Sequence, residues 1–259
     1  MEWYGVVLAC LAAGALIGFA GGVLGIGGGL LAIPLLGLML DMDQQAAQGT
    51  ALIMVLPAVL MTVRKYNQKA KINLQAAGAG AAGSIVFTWI GAQIALGIDP
   101  VLLRRIYAAF VLSIALFYFY QSRRSEPRQS RPQAPRRNVE DFHKGWFALI
   151  GTVAGLAGGI FGVGGSVLVV PILTTVFRQT QTGAQALALT MVIPGTFVAL
   201  FAYAVHGQAD WTIGVPMALG SIFLVPYGVR LAYSLPEPRL KLTFACMLLV
   251  IMVLLLIKA

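Results

Sequence analysis

The sequence predicts an all-α integral membrane protein built from two homologous halves. Composition, the length of the apolar runs and an internal repeat carry the prediction. Of 259 residues, 59% are apolar and 10% are charged, where an ordinary soluble domain carries roughly 25% charged residues. Lysine and arginine number 18 against 9 acids, a net charge of +9, and mean hydropathy is +0.85. The basic residues sit in a few short segments between apolar runs. Nucleic-acid binding needs a solvated basic face instead, so no nucleic-acid partner is expected and the lipid bilayer is.

A spanning helix needs about 20 mostly apolar residues. Runs of that kind lie at 3–40, 46–63, 74–97, 101–120, 145–177, 184–205, 211–233 and 240–258. Backbone polar groups in lipid must be satisfied within the segment, and runs without strict alternation favour helices over a barrel. Met1-Glu2-Trp3-Tyr4 lacks the basic start and cleavage site of a secretory signal, so the first run is expected to belong to the folded protein. Cys10 and Cys246 each lie inside an apolar run with no CxxC pattern or histidine nearby. Neither a metal site nor a disulfide framework is supported, and no cofactor is expected.

The repeat is direct. Gly18–Pro34 reads GFAGGVLGIGGGLLAIP and Gly155–Pro171 reads GLAGGIFGVGGSVLVVP, an offset of 137 residues. The same offset pairs Gln44 with Gln181, Gln48 with Gln185, Pro57 with Pro194, Tyr66 with Tyr203, and Gly83-Ser84-Ile85 with Gly220-Ser221-Ile222. The expected organisation is a first transmembrane repeat at 1–120, a basic linker at 121–144 and a second repeat at 145–259. The linker holds Arg123, Arg124, Arg128, Arg131, Arg136, Arg137 and Lys144 with three prolines. The positive-inside rule makes it cytoplasmic, a topogenic charge run first and a headgroup or partner site second.

The run at 3–40 is too long for one crossing, since 38 residues would reach about 57 Å against a core near 30 Å. It must break, and Gly25-Ile26-Gly27-Gly28-Gly29 is the expected place. Two crossings there give five segments per half and inverted repeats. One crossing with a re-entrant piece gives four and parallel repeats, so eight to ten segments are expected in all. In the inverted arrangement 15 of the 18 basic residues share the linker's side, leaving Arg104, Arg105 and Lys258 opposite. The parallel arrangement moves Arg178, Arg230, Arg239 and Lys241 away from that side, so inverted repeats fit the charge rule better.

The glycine motif is the leading candidate for function. Gly18, Gly21 and Gly22, with Gly155, Gly158 and Gly159, have the spacing of a close helix interface. Consecutive glycines each cost roughly 1 kcal/mol of helix propensity, which favours a real break. A broken helix at membrane depth is tolerated where it is buried or lines a cavity. The helix that restarts presents free N–H groups and a partial positive charge suited to an anion. The candidate binding residues are therefore Gly27, Gly28, Gly29, Gly164, Gly165 and Ser166, converging near the midplane as in transporters built from repeats. No GxGxxG or GK[ST] stands in a strand-to-helix context.

Gln48 and Gln185 are candidate donors to anion oxygens that add no charge; bonding between helices or capping is the competing role. Thr50 and Thr190 are weaker candidates, as are Ser84 and Ser221, because such hydroxyls commonly bond back to their own helix. No Asp or Glu is expected inside a span, so the carboxylate relay of a proton-coupled pump is not visible. His206 is expected in a solvated turn, and Arg230 near a span end, snorkelling to the interface. No His, Asp or Ser-Lys constellation within the spans suggests an enzyme.

The duplicated glycine-proline motifs, the polar patch after each, and the basic central linker resemble the TauE/SafE family of sulfite exporters, over nearly the whole chain. That resemblance implies a bacterial cytoplasmic-membrane permease for sulfite, sulfonates or related small anions, usually outward and without ATP. Ser166 stands where the first repeat has Gly29, so the two half-sites are not equivalent. The alternatives are an uptake permease for a thio-organic acid or other small solute, and a membrane scaffold. The expected partners are a small anionic substrate and the bilayer, with a homodimer left open.

Overall fold

The computed structural model describes residues 3–69, 72–124 and 144–235, together with 243, 246 and 247. They form nine helices and no strand: α1 Trp3–Leu24, α2 Gly29–Met39, α3 Gln44–Lys69, α4 Leu74–Gly97, α5 Pro100–Arg124, α6 Lys144–Phe161, α7 Ser166–Thr175, α8 Gln181–Val205 and α9 Trp211–Ser234. Six of these are long and apolar enough to cross a membrane, while α2, α6 and α7 are shorter apolar helices. The run at 240–258 and most of the 121–144 linker lie outside the described residues.

The offset of 137 holds at the level of backbone conformation. It maps the end of α1 onto the end of α6, and the starts of α3 and α4 onto those of α8 and α9, residue for residue. Asn73 and its counterpart Asp210 both cap a helix, each side chain accepting from two N–H groups of the next turn. Even the two described residues outside glycine with positive φ, Asp41 at 54° and Arg178 at 53°, are repeat partners. Chain reversals, and not only apolar runs, are duplicated.

Each long run breaks where the glycines predict, but the returning arm is short. α2 and α7, with 11 and 10 residues, reach about 15 to 17 Å, half the hydrocarbon core. Gly27 packs on Val59, and Gly29 on Val55, so α2 runs back along the first half of α3 and the break sits midway along α3. A full α1 with a half-length α2 thus returns to its side of entry. The sequence alternatives of a double crossing and a single crossing are resolved by this hybrid, which keeps the return without a second full span.

The halves are inverted. Tyr66 meets Gln185 and Tyr203 meets Gln48, so the equivalent helices α3 and α8 lie antiparallel. Parallel repeats would place them parallel. Arg64, Arg178 and Arg230 therefore share one face, and Arg104 and Arg105 lie on the other, as the charge rule requires.

The halves also interlock. α1 packs parallel to α9, and α4 parallel to α6. The buried stripe of α4, Ala76, Gly80, Ser84, Thr88, Gly91 and Ala95, is made of small residues about one turn apart, which lets backbones approach in lipid. A Cβ on Gly155 would lie 2.6 Å from the Ser84 carbonyl oxygen, and one on Gly18 would lie 2.5 Å from the Ser221 Cα. The opposite face of α4 exposes Ile85, Val86, Trp89 and Ile90. In water such a face would be a liability, whereas lipid tails are its ordinary solvent.

Candidate functional site

The two breaks meet. A Cβ on Gly29 would sit 3.4 Å from both the Gly162 carbonyl oxygen and the Val163 Cα, so the start of α2 abuts the loop before α7. The N-caps Gly28 and Gly165 have φ of 85° and 70°, left-handed values that favour glycine. The N–H groups of Gly27, Gly28 and Gly29, and of Gly164, Gly165 and Ser166, find no acceptor among the described residues. Two helix N-termini with unclaimed donors are thus brought together at mid-depth. Such an end attracts anions through its donors and dipole.

Each break is also touched by the glutamine of the opposite repeat. A Cβ at Gly25 would fall 2.6 Å from the Gln185 Cδ, and one at Gly162 would fall 2.8 Å from the Gln48 Cβ, so only glycine leaves room. Gln185 is engaged at both ends of its amide: its Nε2 donates to the Leu24 carbonyl at 2.6 Å, and its Oε1 accepts from the Tyr66 hydroxyl at 2.8 Å. Its expected competing role, bonding between helices, is the one it fills. Gln48 accepts from the Tyr203 hydroxyl at 2.7 Å, but its Nε2 is buried with no partner. Tyr203 also reaches the Gly159 carbonyl at 3.0 Å, so one proton serves two acceptors. Leaving such an amide unpaired costs about 1–3 kcal/mol.

The two threonine candidates lie apart from the breaks. Thr50 accepts from the Asp210 N–H at 3.0 Å, tying the loop before α9 to α3. Thr190 donates to Ala186 four residues back on its own helix. Ser84 and Ser221 likewise bond to carbonyls, Ser84 reaching Met191 across to α8. Ser166 is buried at the first position of α7, and its hydroxyl has no hydrogen bond among the described residues. The described acids Asp41, Asp43, Asp99 and Asp210 all stand between helices, and no cluster of metal-ligating side chains is found among the described residues.

One feature escaped the sequence reading. Beside the second break lies a narrow cleft, too thin to admit a water molecule, lined by Thr88, Gly155, Gly158, Gly164, Gly195 and Thr196 among others. The Thr88 hydroxyl has no hydrogen bond among the described residues, although the residue is 2% exposed. The repeat offset held the signal: Thr88, Gly195 and Thr196 pair with Val225, Ala58 and Val59, polar or small residues against apolar ones. Tyr66 and Tyr203 were visible as a repeat pair, but not as the glutamines' partners.

Inverted repeats with broken hairpins meeting at the midplane are an architecture of multi-pass helical membrane transporters. The family is narrower. The sulfite exporter TauE/SafE family model matches residues 10–255, and the chain belongs to that family. It is similar to a probable membrane transporter protein of Xylella fastidiosa strain 9a5c, 26% identical over 83% of this chain and 81% of the relative. One from Methanocaldococcus jannaschii is 24% identical over 92% and 91%, and one from Bacillus subtilis 21% over 84% of each. No solved structure matches the chain. The protein is a multi-pass cell-membrane transporter and not an enzyme.

Proposed function

We propose that the protein is a secondary exporter of small sulfur-containing or organic anions such as sulfite, sulfonates or sulfoacetate, bound at the midplane between the repeats. The observation that carries this reading is the meeting of two helix N-termini, both with unclaimed N–H groups, in spans whose described residues hold no carboxylate. Backbone donors and neutral amides hold an oxyanion without the desolvation cost of a buried cation. Release is the harder half of transport, and a neutral site favours it. With the cell interior negative, moving one negative charge outward gains about 2.3 kcal/mol per 100 mV, so export needs no coupling ion.

The test is flux of labelled sulfite and sulfoacetate in proteoliposomes under imposed potentials of either sign. The expected result is electrogenic movement towards the positive side. Absence of flux for every such anion in folded, reconstituted protein would overturn the reading.

A further inference from the structure

The repeat that builds two breaks does not build two equal sites. At the first break the space is filled, since Gly27 is covered by Val59 and Gly28 by Ile17 and Met54. The glutamine there, Gln185, spends both ends of its amide on the protein. At the second break, Gly164 faces the Thr196 hydroxyl, with 3.3 Å from a Cβ position to Oγ1. Thr88 and Thr196 line the adjoining cleft, and Thr196 is held by the Val192 carbonyl at 2.9 Å, leaving Thr88 as the hydroxyl without a hydrogen bond.

Thr88 belongs to α4, in the first repeat, yet it lies against the second repeat's break. Gly195, with no side chain, makes the space: a Cβ there would be 2.7 Å from the Thr88 Oγ1. The repeat partner of Gly195 is Ala58, and that of Thr88 is Val225. The same backbone at the first break thus carries no comparable donor. At the same break, Gln48 packs on Gly162 and keeps an unpaired buried amide N–H2, and Ser166 has an unbonded hydroxyl at the head of α7.

We propose that the oxyanion is held by the second repeat's break alone, with the Thr88 hydroxyl donating directly to it and setting specificity. The first break, closed over by Val59, Ile17 and Met54, then serves as a packed buttress. This rests on the anion-export reading, and it adds a side to the site and a residue to it. The cleft is closed in this conformation, so Thr88 meets substrate when α4 and α8 part.

The experiment measures sulfoacetate flux in proteoliposomes for the wild type, Thr88→Val, Thr88→Ser and the mirror substitution Val225→Thr. A hydrogen bond to a charged group is worth a factor of roughly 10 to 100. Thr88→Val is therefore expected to lose that much flux, with KM raised, while Thr88→Ser recovers most of it and Val225→Thr leaves it unchanged. Undiminished flux in Thr88→Val, or an equal loss in Val225→Thr, overturns the proposal. Absence of flux in the wild type instead overturns the export reading and this inference with it. Should Thr88→Val fail to accumulate, Thr88→Cys in a Cys10→Ala, Cys246→Ala background provides the second measurement. Protection of that thiol from N-ethylmaleimide by sulfoacetate supports the proposal, and no protection overturns it.

Discussion

Alanine at Gly165 separates two penalties that the break imposes on any side chain. The first is conformational: at φ 70°, a residue with a Cβ loses about 1–2 kcal/mol. The second is steric, because the new Cβ would overlap the Ala154 carbonyl oxygen of α6 and lie 2.8 Å from its carbon. Ordinary contact needs about 3.4 Å, and the obstacle is helix backbone that cannot rotate aside. Overpacking of this kind costs about 1–3 kcal/mol, so Gly165→Ala is expected to lose about 2–5 kcal/mol. Gly207→Ala isolates the first penalty, since φ is 71° with nothing within 4 Å; its expected loss is about 1–2 kcal/mol. Gly28→Ala falls between, because its nearest neighbours, the Ile17 Cγ2 at 3.0 Å and the Ile17 carbonyl oxygen at 3.2 Å, are crowded less severely than the Ala154 carbonyl. The assay is denaturant unfolding of the three variants in one detergent. Gly165→Ala no less stable than Gly207→Ala would refute the account of how the break is packed.

Three further outcomes follow from the same geometry. Tyr203→Phe strips Gln48 of its hydrogen-bond partner, and Tyr66→Phe leaves Gln185 still bonded to Leu24; each is expected to cost about 1–3 kcal/mol, with Tyr203→Phe the larger, and equal wild-type stability in both would show the pairs to be idle. Thr190→Val removes only a bond to its own helix and is expected to change stability by less than about 0.5 kcal/mol, whereas Thr50→Val orphans the Asp210 N–H and is expected to lose about 1 kcal/mol, both read by thermal unfolding. Cysteines at the exposed Arg105 and Arg178 are expected to react with an impermeant thiol reagent from opposite faces of the membrane, Arg105→Cys from outside; labelling from the same face would contradict the inverted arrangement.

Much of this fold is written in features that depend on local chemistry. Run length gave the spans, glycine gave the breaks within a residue or two, and duplication gave the second half from the first. The short return of α2 was less legible, because Leu30 to Leu40 is as apolar as a spanning segment; it ends at the 40–43 turn, where the Asp43 carbonyl already accepts from the Ala47 N–H of α3 at 2.8 Å. The candidate site was legible in where its residues gather and not in what they bond to. Gly27, Gly28, Gly29, Gly164, Gly165, Ser166, Gln48 and Gln185 do gather around the breaks, while Thr50 and Thr190 lie elsewhere. No periodicity distinguishes a glutamine with both amide ends engaged from one with a spare N–H2, since that depends on a hydroxyl 155 residues away in sequence. Thr88 was missed for the same reason: its helix is packed by the other repeat.

That exchange of partners changes what the repeat means physically. Each half is one unit in sequence, yet α1 finds its glycine-lined seat on α9, and α4 finds its own with α6. The glutamine filling each break comes from across the pseudo-twofold axis. Each break is buried jointly, by residues of its own half and by the glutamine of the other. Crossed packing of this kind makes the centre sensitive to both sequences at once, so drift in one copy alters a site formed with the other. Val225, Ala58 and Val59 at one break, against Thr88, Gly195 and Thr196 at the other, are differences that the shared backbone tolerates. The backbone symmetry needed for two opposed, broken hairpins is retained to the residue, while the side chains that an anion would meet are free to favour one side.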